Sequence, residues 1–316
     1  MAAASASNET RALVYAFLPL PIIVAGLAAG WQAAAIASIV AAATLTTVVG
    51  PAAAIAIALT HLAPASFVTY LVGLHRDVQV APSPTNNTIA TTTSGQEWYP
   101  IGRVILWIIA IAVVIASILV APMYADLDQL KVLMRENLDT FINSGLPAGT
   151  TNDDLTAQQR ENIVQTMIHL LPSGFVIVIS LVMLLNLWLA GHITRAAHLS
   201  NRPWPDLAAI TYPPGTALAL AACIIAATLV PGLGGTALSA ACGGLFFAFV
   251  LLGLAIIHHV TRNSQWRSFI LFSVYVACVA LNSAFWILLA IIALAEPISP
   301  LRRDFINADT TTNNRK

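Results

Sequence analysis

Across long runs of alanine, leucine, isoleucine and valine, few side chains could bind or react with anything. Thr60-His61 interrupts one such run, and Pro64 follows closely, where the missing proline amide frees a backbone carbonyl. Asn186 interrupts the stretch "LLNLWLAG", and Ser273, Tyr275 and Asn282 interrupt the last apolar region. An imidazole and two carboxamides can both donate and accept hydrogen bonds. His61, Asn186 and Asn282 are therefore the candidate ligand-binding set. The competing role is hydrogen bonding between helices, which contributes only about 0.6 kcal/mol on average in lipid.

The chemistry that is missing narrows the choice further. No carboxylate falls inside an apolar run, and Glu296 only ends one. Proton-coupled carriers use ionisable groups at membrane depth, so an ordinary proton-driven carrier is disfavoured, although backbone carbonyls alone can hold sodium. There is no H-E-x-x-H, G-x-S-x-G or phosphate-loop pattern, and the chain reads as a non-enzyme without catalytic residues. Cys223, Cys242 and Cys278 have no C-x-x-C spacing and read as small packing residues. His258 and His259 lie near Arg262 at a helix end, which favours solvation over metal binding. Neither a metal nor a cofactor is expected.

These residues need positioning, and composition says by what. The chain has 316 residues, 58% hydrophobic and 9% charged, whereas soluble domains carry about 25% charged residues. Its mean hydropathy is +0.80. Apolar runs stand out at roughly 12–30, 32–50, 51–74, 104–123, 173–192, 214–231, 236–258 and 268–296. Most approach the length of about 20 residues that crosses a bilayer core. Continuous runs exclude a β-barrel, whose strands alternate, so the expected fold is an all-α polytopic bundle of about eight spans. The zero net charge and the lack of a basic stripe exclude nucleic acid as a partner. The bilayer itself is the expected partner, most simply the bacterial cytoplasmic membrane.

The organisation follows from where polarity returns. Residues 1–11 form a tail, and 12–75 hold three spans. The first is read as retained rather than cleaved, because Glu9, Pro19 and Pro21 spoil a signal-peptide pattern. Residues 76–102 are Thr/Ser/Pro-rich and predict a disordered loop. A fourth span covers 103–123. Residues 124–172 predict a helical hairpin outside the membrane: Leu127, Leu130, Met134, Leu138 and Phe141 share one helical face, Thr156 and Gln159 have capping-box spacing, and Ile163, Met167 and Leu170 mark a second face. The remaining spans fill 173–297, and 298–316 is a tail. Residues 268–296 are long for one pass, and the sequence leaves open whether they cross once or turn back at Asn282. Small residues cluster in "SAACGGLFFA", from Ser239 to Ala248, which predicts close helix contact.

Basic residues suggest an orientation. Arg76, Arg103, Arg195, Arg202, Arg262 and Arg267 are matched in number by Arg11, Lys131, Arg135, Arg160, Arg302 and Arg303, but the first group sits in short loops or at helix ends, where the positive-inside bias is strongest. This places the "RPWPDL" loop in the cytoplasm and the hairpin outside. In that loop Pro203 and Pro205 prevent helix, Trp204 suits the headgroup layer, and Asp206 is positioned to cap the next span. Arg202 and Trp204 either staple two spans together or dock a membrane partner, since both residue types are enriched among interface hot spots.

Three motifs, "WYPIGR" (Trp98–Arg103), "NLWLAGHITR" (Asn186–Arg195) and "RPWPDL" (Arg202–Leu207), occur in an order that resembles the YybS-like family of uncharacterised bacterial multi-pass membrane proteins. That family is distantly similar to the substrate-binding S components of energy-coupling-factor transporters. The resemblance implies a small-molecule binding or transport component that docks on an ATP-driven module, and it supplies no site residue. The alternative is a non-transporting scaffold or regulator that docks a partner through its cytoplasmic loops.

Overall fold

The computed structural model describes residues 8–80, 93–145, 156–200, 202–281 and 283–297. The fold is a helical membrane bundle that falls into two units. One comprises Met1–Ile108 and Leu181–Tyr212, the other Ile109–Ser180 and Pro213–Lys316.

In the first unit, α1 (Asn8–Phe17) and α2 (Pro19–Ala29) read as one apolar run but break at Leu18. Pro19 and Pro21 lack the amide hydrogens that would bond the Tyr15 and Phe17 carbonyls, and Leu18 N–H bonds Tyr15 instead at 3.3 Å. Gly30 (φ 93°) then permits an abrupt reversal into α3 (Trp31–Val49), and Gly50 (φ 85°) does the same into α4 (Pro51–Ile57). A five-residue π-helical turn, Ala58–Leu62, separates α4 from α5 (Ala63–Gly73). The helices close on small groups. Ser38 Oγ lies 2.8 Å from Ser66 Oγ and donates to the Leu62 carbonyl at 3.2 Å. A Cβ at Gly26 would sit 2.6 Å from Thr69 atoms. Ile22, Ile23, Ala34, Leu62, Ala65, Val68 and Val104 form the buried core there.

Strands β1 (His75–Val80) and β2 (Thr93–Trp98) pair antiparallel, with His75 opposite Trp98 and Arg76 opposite Glu97. The flanks of the 76–102 segment are therefore ordered, against the expectation of a disordered loop. The Thr/Ser/Pro-rich centre, 81–92, lies outside the described residues, but its flanks are held. Tyr99 N–H donates to the Leu74 carbonyl at 2.9 Å, His75 and Trp98 rings stand 4.8 Å apart, and Arg76 meets Glu97 at 2.6 Å.

The long helices α6 (Ile101–Ala125) and α8 (Ala157–Ala196) contribute residues to both units. In the second unit, α7 (Leu127–Gly145) packs on the start of α8 through Leu130, Met134, Leu138, Ile142, Val164 and Ile168. The seam keeps Leu130, Met134 and Leu138, with Ile163 and Met167 packed against it, whereas Leu127, Phe141 and Leu170 are exposed. Spacing by four carries the buried stripe from Leu130 to Ile142, and Leu127 shares that face but stays exposed at the start of α7. The capping box forms reciprocally. Thr156 N–H donates to Gln159 Oε1 at 2.8 Å, and Gln159 N–H donates to Thr156 Oγ1 at 3.3 Å. Arg135 pairs with Glu161 at 2.8 Å and Arg160 with Asp139 at 3.0 Å.

The apolar helices are unequal in length. Among the described residues, five helical stretches are long and apolar enough to span: Trp31–Val49, Pro51–Gly73, Ile101–Ala125, Ala157–Ala196 and Gly232–Val260. By contrast, α9 (Thr216–Leu229), α11 (Arg267–Ala280) and α12 (Ser283–Ala295) have 14, 14 and 13 residues. At about 1.5 Å per residue each is about 20 Å long, short of a core of about 30 Å. Pro213, Pro214 and Gly215 delay the start of α9, and Pro231 prevents its continuation. Residues 268–296 form two helices rather than one, and Trp286 Nε1 on α12 donates to the Cys278 carbonyl on α11 at 3.1 Å. Helix α12 runs parallel to α10 (Gly232–Val260): Phe247 faces Trp286, and Gly253 abuts the Leu289 backbone. The small-residue cluster in α10 is a close-contact face, since Gly243 fits against Ser173 and Gly244 against Ile109 and Val176.

Candidate functional site

Two constellations emerge in the first unit, one at a helix break and one at a loop cluster. At the break, Asn186 on α8 is fully buried. Its Nδ2 donates to the Val182 carbonyl of its own helix and to the Ala16 carbonyl of α1, both at 2.8 Å. Two carbonyl partners fix the orientation of the carboxamide, so Oδ1 is the remaining atom, and it is buried with no partner among the described residues. Leaving such an acceptor unsatisfied costs about 1–3 kcal/mol. Ala16 is reachable because the chain breaks two residues later.

His61 lies in the π-helical turn, a feature that occurs frequently at functional sites. Pro64, with no amide hydrogen for Thr60, sits just beyond. Nδ1 of the half-buried imidazole donates to Thr60 Oγ1 at 2.8 Å, while the Thr60 hydroxyl donates to the Ala56 carbonyl at 2.7 Å. Since that hydroxyl hydrogen points to Ala56, Nδ1 carries the ring proton and Nε2 is an acceptor. The ring stands 6.4 Å from that of Tyr15. Consecutive residues of α1, Tyr15 and Ala16, therefore link His61 and Asn186 to one discontinuity. Asn282 lies outside the described residues.

The loop cluster gathers all three sequence motifs. Arg202 donates from Nη1 to the Val72 carbonyl and from Nη2 to the Tyr99 carbonyl, each at 3.0 Å, with its guanidinium 5.6 Å from the Trp98 ring centre. Burial lowers its pKa from the ordinary arginine value, yet guanidinium stays charged in proteins. Trp204 packs on α8. A Cβ at Gly191 would come 2.9 Å from its ring, His192 stacks edge-on at 4.6 Å, and the Arg195 guanidinium lies 5.8 Å from the ring centre. Gly102 fits against the Thr211 carbonyl, and burial raises the pKa of the neighbouring Tyr212 phenol. Asp206 does not cap the next long helix. It accepts from Ala208 N–H at 3.1 Å and caps a short 3-10 turn, Leu207–Ala209, because Pro213 and Pro214 postpone α9 until Thr216.

Residues 11–295 match the family described as Predicted membrane protein (DUF2232). The chain belongs to that family. No curated protein and no solved structure matches it. The family supports an integral, multi-pass membrane protein, in agreement with the apolar helices.

Within this family member, sequence reasoning singled out His61, Asn186, Arg202 and Trp204 but missed their partners. Tyr15 and Ala16 carry no chemical signal of their own. Pro19 and Pro21 were the available clue, since two prolines in an apolar run open its hydrogen-bond ladder. His192 and Trp188 lie in the motif that ends α8, at helical spacing from Arg195. Their stacking required the position of the loop to become visible.

Proposed function

We propose that the protein is a membrane-embedded small-molecule binding or transport component of the bacterial cytoplasmic membrane. The observation that carries this reading is the buried, unpartnered Asn186 Oδ1 beside a proline-broken helix. In lipid, interrupted backbone is tolerated only where protein or a water-filled cavity surrounds it, and discontinuous helices build the binding sites of many transporters. The groups on offer are acceptors: a carboxamide oxygen, loosened carbonyls near Leu18 and the His61 imidazole. No carboxylate accompanies them, so the reading favours a neutral polar solute presenting N–H or O–H donors. The resemblance to S components supports a separate ATP-driven module as partner. Affinity purification in mild detergent tests this. Recovery of a stoichiometric ATPase supports a driven transport component, whereas purification alone from cells expressing all membrane ATPases removes that role.

A second reading, a scaffold that docks a partner through its loop, is supported by the exposure of Trp204 (38%) and Trp188 (47%). Arg202 contributes little to such docking, because its donors already engage two carbonyls. Trp204→Ala separates the readings: loss of a co-purifying protein at unchanged thermal stability favours the scaffold.

A further inference from the structure

Helix α8 carries Trp188, His192 and Arg195 on one exposed face, at the point where its apolar run ends. Trp188 and His192 rings stand 4.2 Å apart, and Trp204 from the loop continues the stack at 4.6 Å, beneath Arg195. We propose that this stack is a binding site for an anionic phospholipid headgroup.

Charge complementarity argues for that occupant. Arg195 is exposed and has no ion-pair partner among the described residues. Of the acids in this unit, Glu97 pairs with Arg76 and Asp206 accepts the Ala208 amide, while Asp77 lies on β1. Arg103, over the Tyr99 ring at 6.0 Å, is likewise exposed and without an ion-pair partner among the described residues, so the motif cluster carries a net positive rim.

Hydrogen bonding points the same way. His192 Nδ1 donates to the Trp188 carbonyl at 3.0 Å, which anchors the ring. Neither indole N–H of Trp188 or Trp204 has a partner among the described residues, leaving two donors beside the guanidinium. Indoles prefer the headgroup layer, where ester and phosphate oxygens accept such bonds. Exposed Leu185 lies one turn below Trp188, so the stack continues into an apolar face suited to acyl chains. A protein partner would have to cover that lipid-facing strip as well, which makes the lipid the better fit.

The test is thermal unfolding of the purified full chain in neutral detergent, titrated with phosphatidylglycerol or phosphatidylcholine. Phosphatidylglycerol is expected to raise Tm more than phosphatidylcholine. Arg195→Gln should reduce the preference about five-fold, the effect of one charge near an anionic surface. Arg195→Lys should retain part of it, because a point charge remains without the planar stacking group. Arg267→Gln, on another helix, should leave the preference intact. Equal responses to the two lipids, an undiminished preference in Arg195→Gln, or the same shift with inorganic phosphate alone would each overturn the proposal. So would loss of a co-purifying polypeptide in Arg195→Gln with lipid preference unchanged, since that outcome identifies a protein-docking site.

Discussion

The two units rely to different degrees on glycine contacts and on polar contacts between helices. In the second, α10 runs unbroken for 29 residues, and Gly243, Gly244 and Gly253 let neighbouring chains lie directly on its backbone. In the first, no helix pair is so plain. Proline breaks α1 from α2, a π-helical turn interrupts the third span, and contacts run through Ser38, Ser66, Thr69 and Asn186. Close glycine packing gains dispersion contacts without any polar group to satisfy, whereas broken helices leave carbonyls that require partners. The first arrangement suits a scaffold and the second a site.

The largest effect should come from disturbing the glycine face. Gly253→Val would force side-chain atoms into the Leu289 carbonyl, a backbone atom that cannot swing away. We expect destabilisation of about 3 kcal/mol, measured by thermal or chemical denaturation in detergent. Gly174→Ala, where nothing lies within 4 Å, should leave stability unchanged or slightly raised. Equal loss in both would dissolve the distinction between packed and open glycines.

Next in size is the loop of the first unit. Arg202→Ala removes two charge-assisted hydrogen bonds to the Val72 and Tyr99 carbonyls. A loss of about 2 kcal/mol is expected, with faster proteolysis between 199 and 212. Trp204→Ala should cost less, since that ring remains partly exposed. If Trp204→Ala proves the more damaging, the loop is held by ring packing rather than by arginine.

Asn186→Leu sharpens the comparison in the opposite direction. The variant loses two hydrogen bonds but also removes an orphaned acceptor. Tm should therefore shift little, within about 1 kcal/mol, while solute binding disappears. A large stability loss would make Asn186 a packing residue like those of the second unit.

The smallest effect belongs to the hairpin. Glu161→Gln breaks an ion pair with Arg135 whose side chains are 36% and 52% exposed. The cost should stay below about 1 kcal/mol and fade with added salt, as read by hydrogen exchange in α7. Salt-independent loss would indicate a role beyond surface pairing.

How much of this was legible in the sequence varies by region. The α7–α8 capping box was readable because its two residues satisfy each other locally. The hairpin faces were also visible, but not which of their edge residues would be buried. Leu127 and Phe141 fit the periodicity as well as Ile142 does, and only the partner helix selects among them. Apolar runs showed where helices would form, yet Pro213 and Pro214 shortened α9 in a way hydropathy does not register. The β hairpin was hidden because its strands are polar and its stability comes from Trp98, Tyr99 and Arg202, distant in sequence. His61 and Asn186 were conspicuous as polar residues in apolar runs. Their common neighbour, the α1–α2 break, became apparent only once the chain was folded.

The central claim is that Asn186 faces a polar site which solutes can enter. The most direct measurement is cysteine accessibility at that position. With Cys223, Cys242 and Cys278 replaced by alanine, Asn186→Cys is treated with a small, water-soluble methanethiosulfonate reagent in membranes, and labelling is followed by mass. The account predicts that the buried position is labelled, while Ala65→Cys in the apolar core of the same unit is not. Protection of both positions from the reagent would show a bundle packed shut around Asn186 and would contradict the claim.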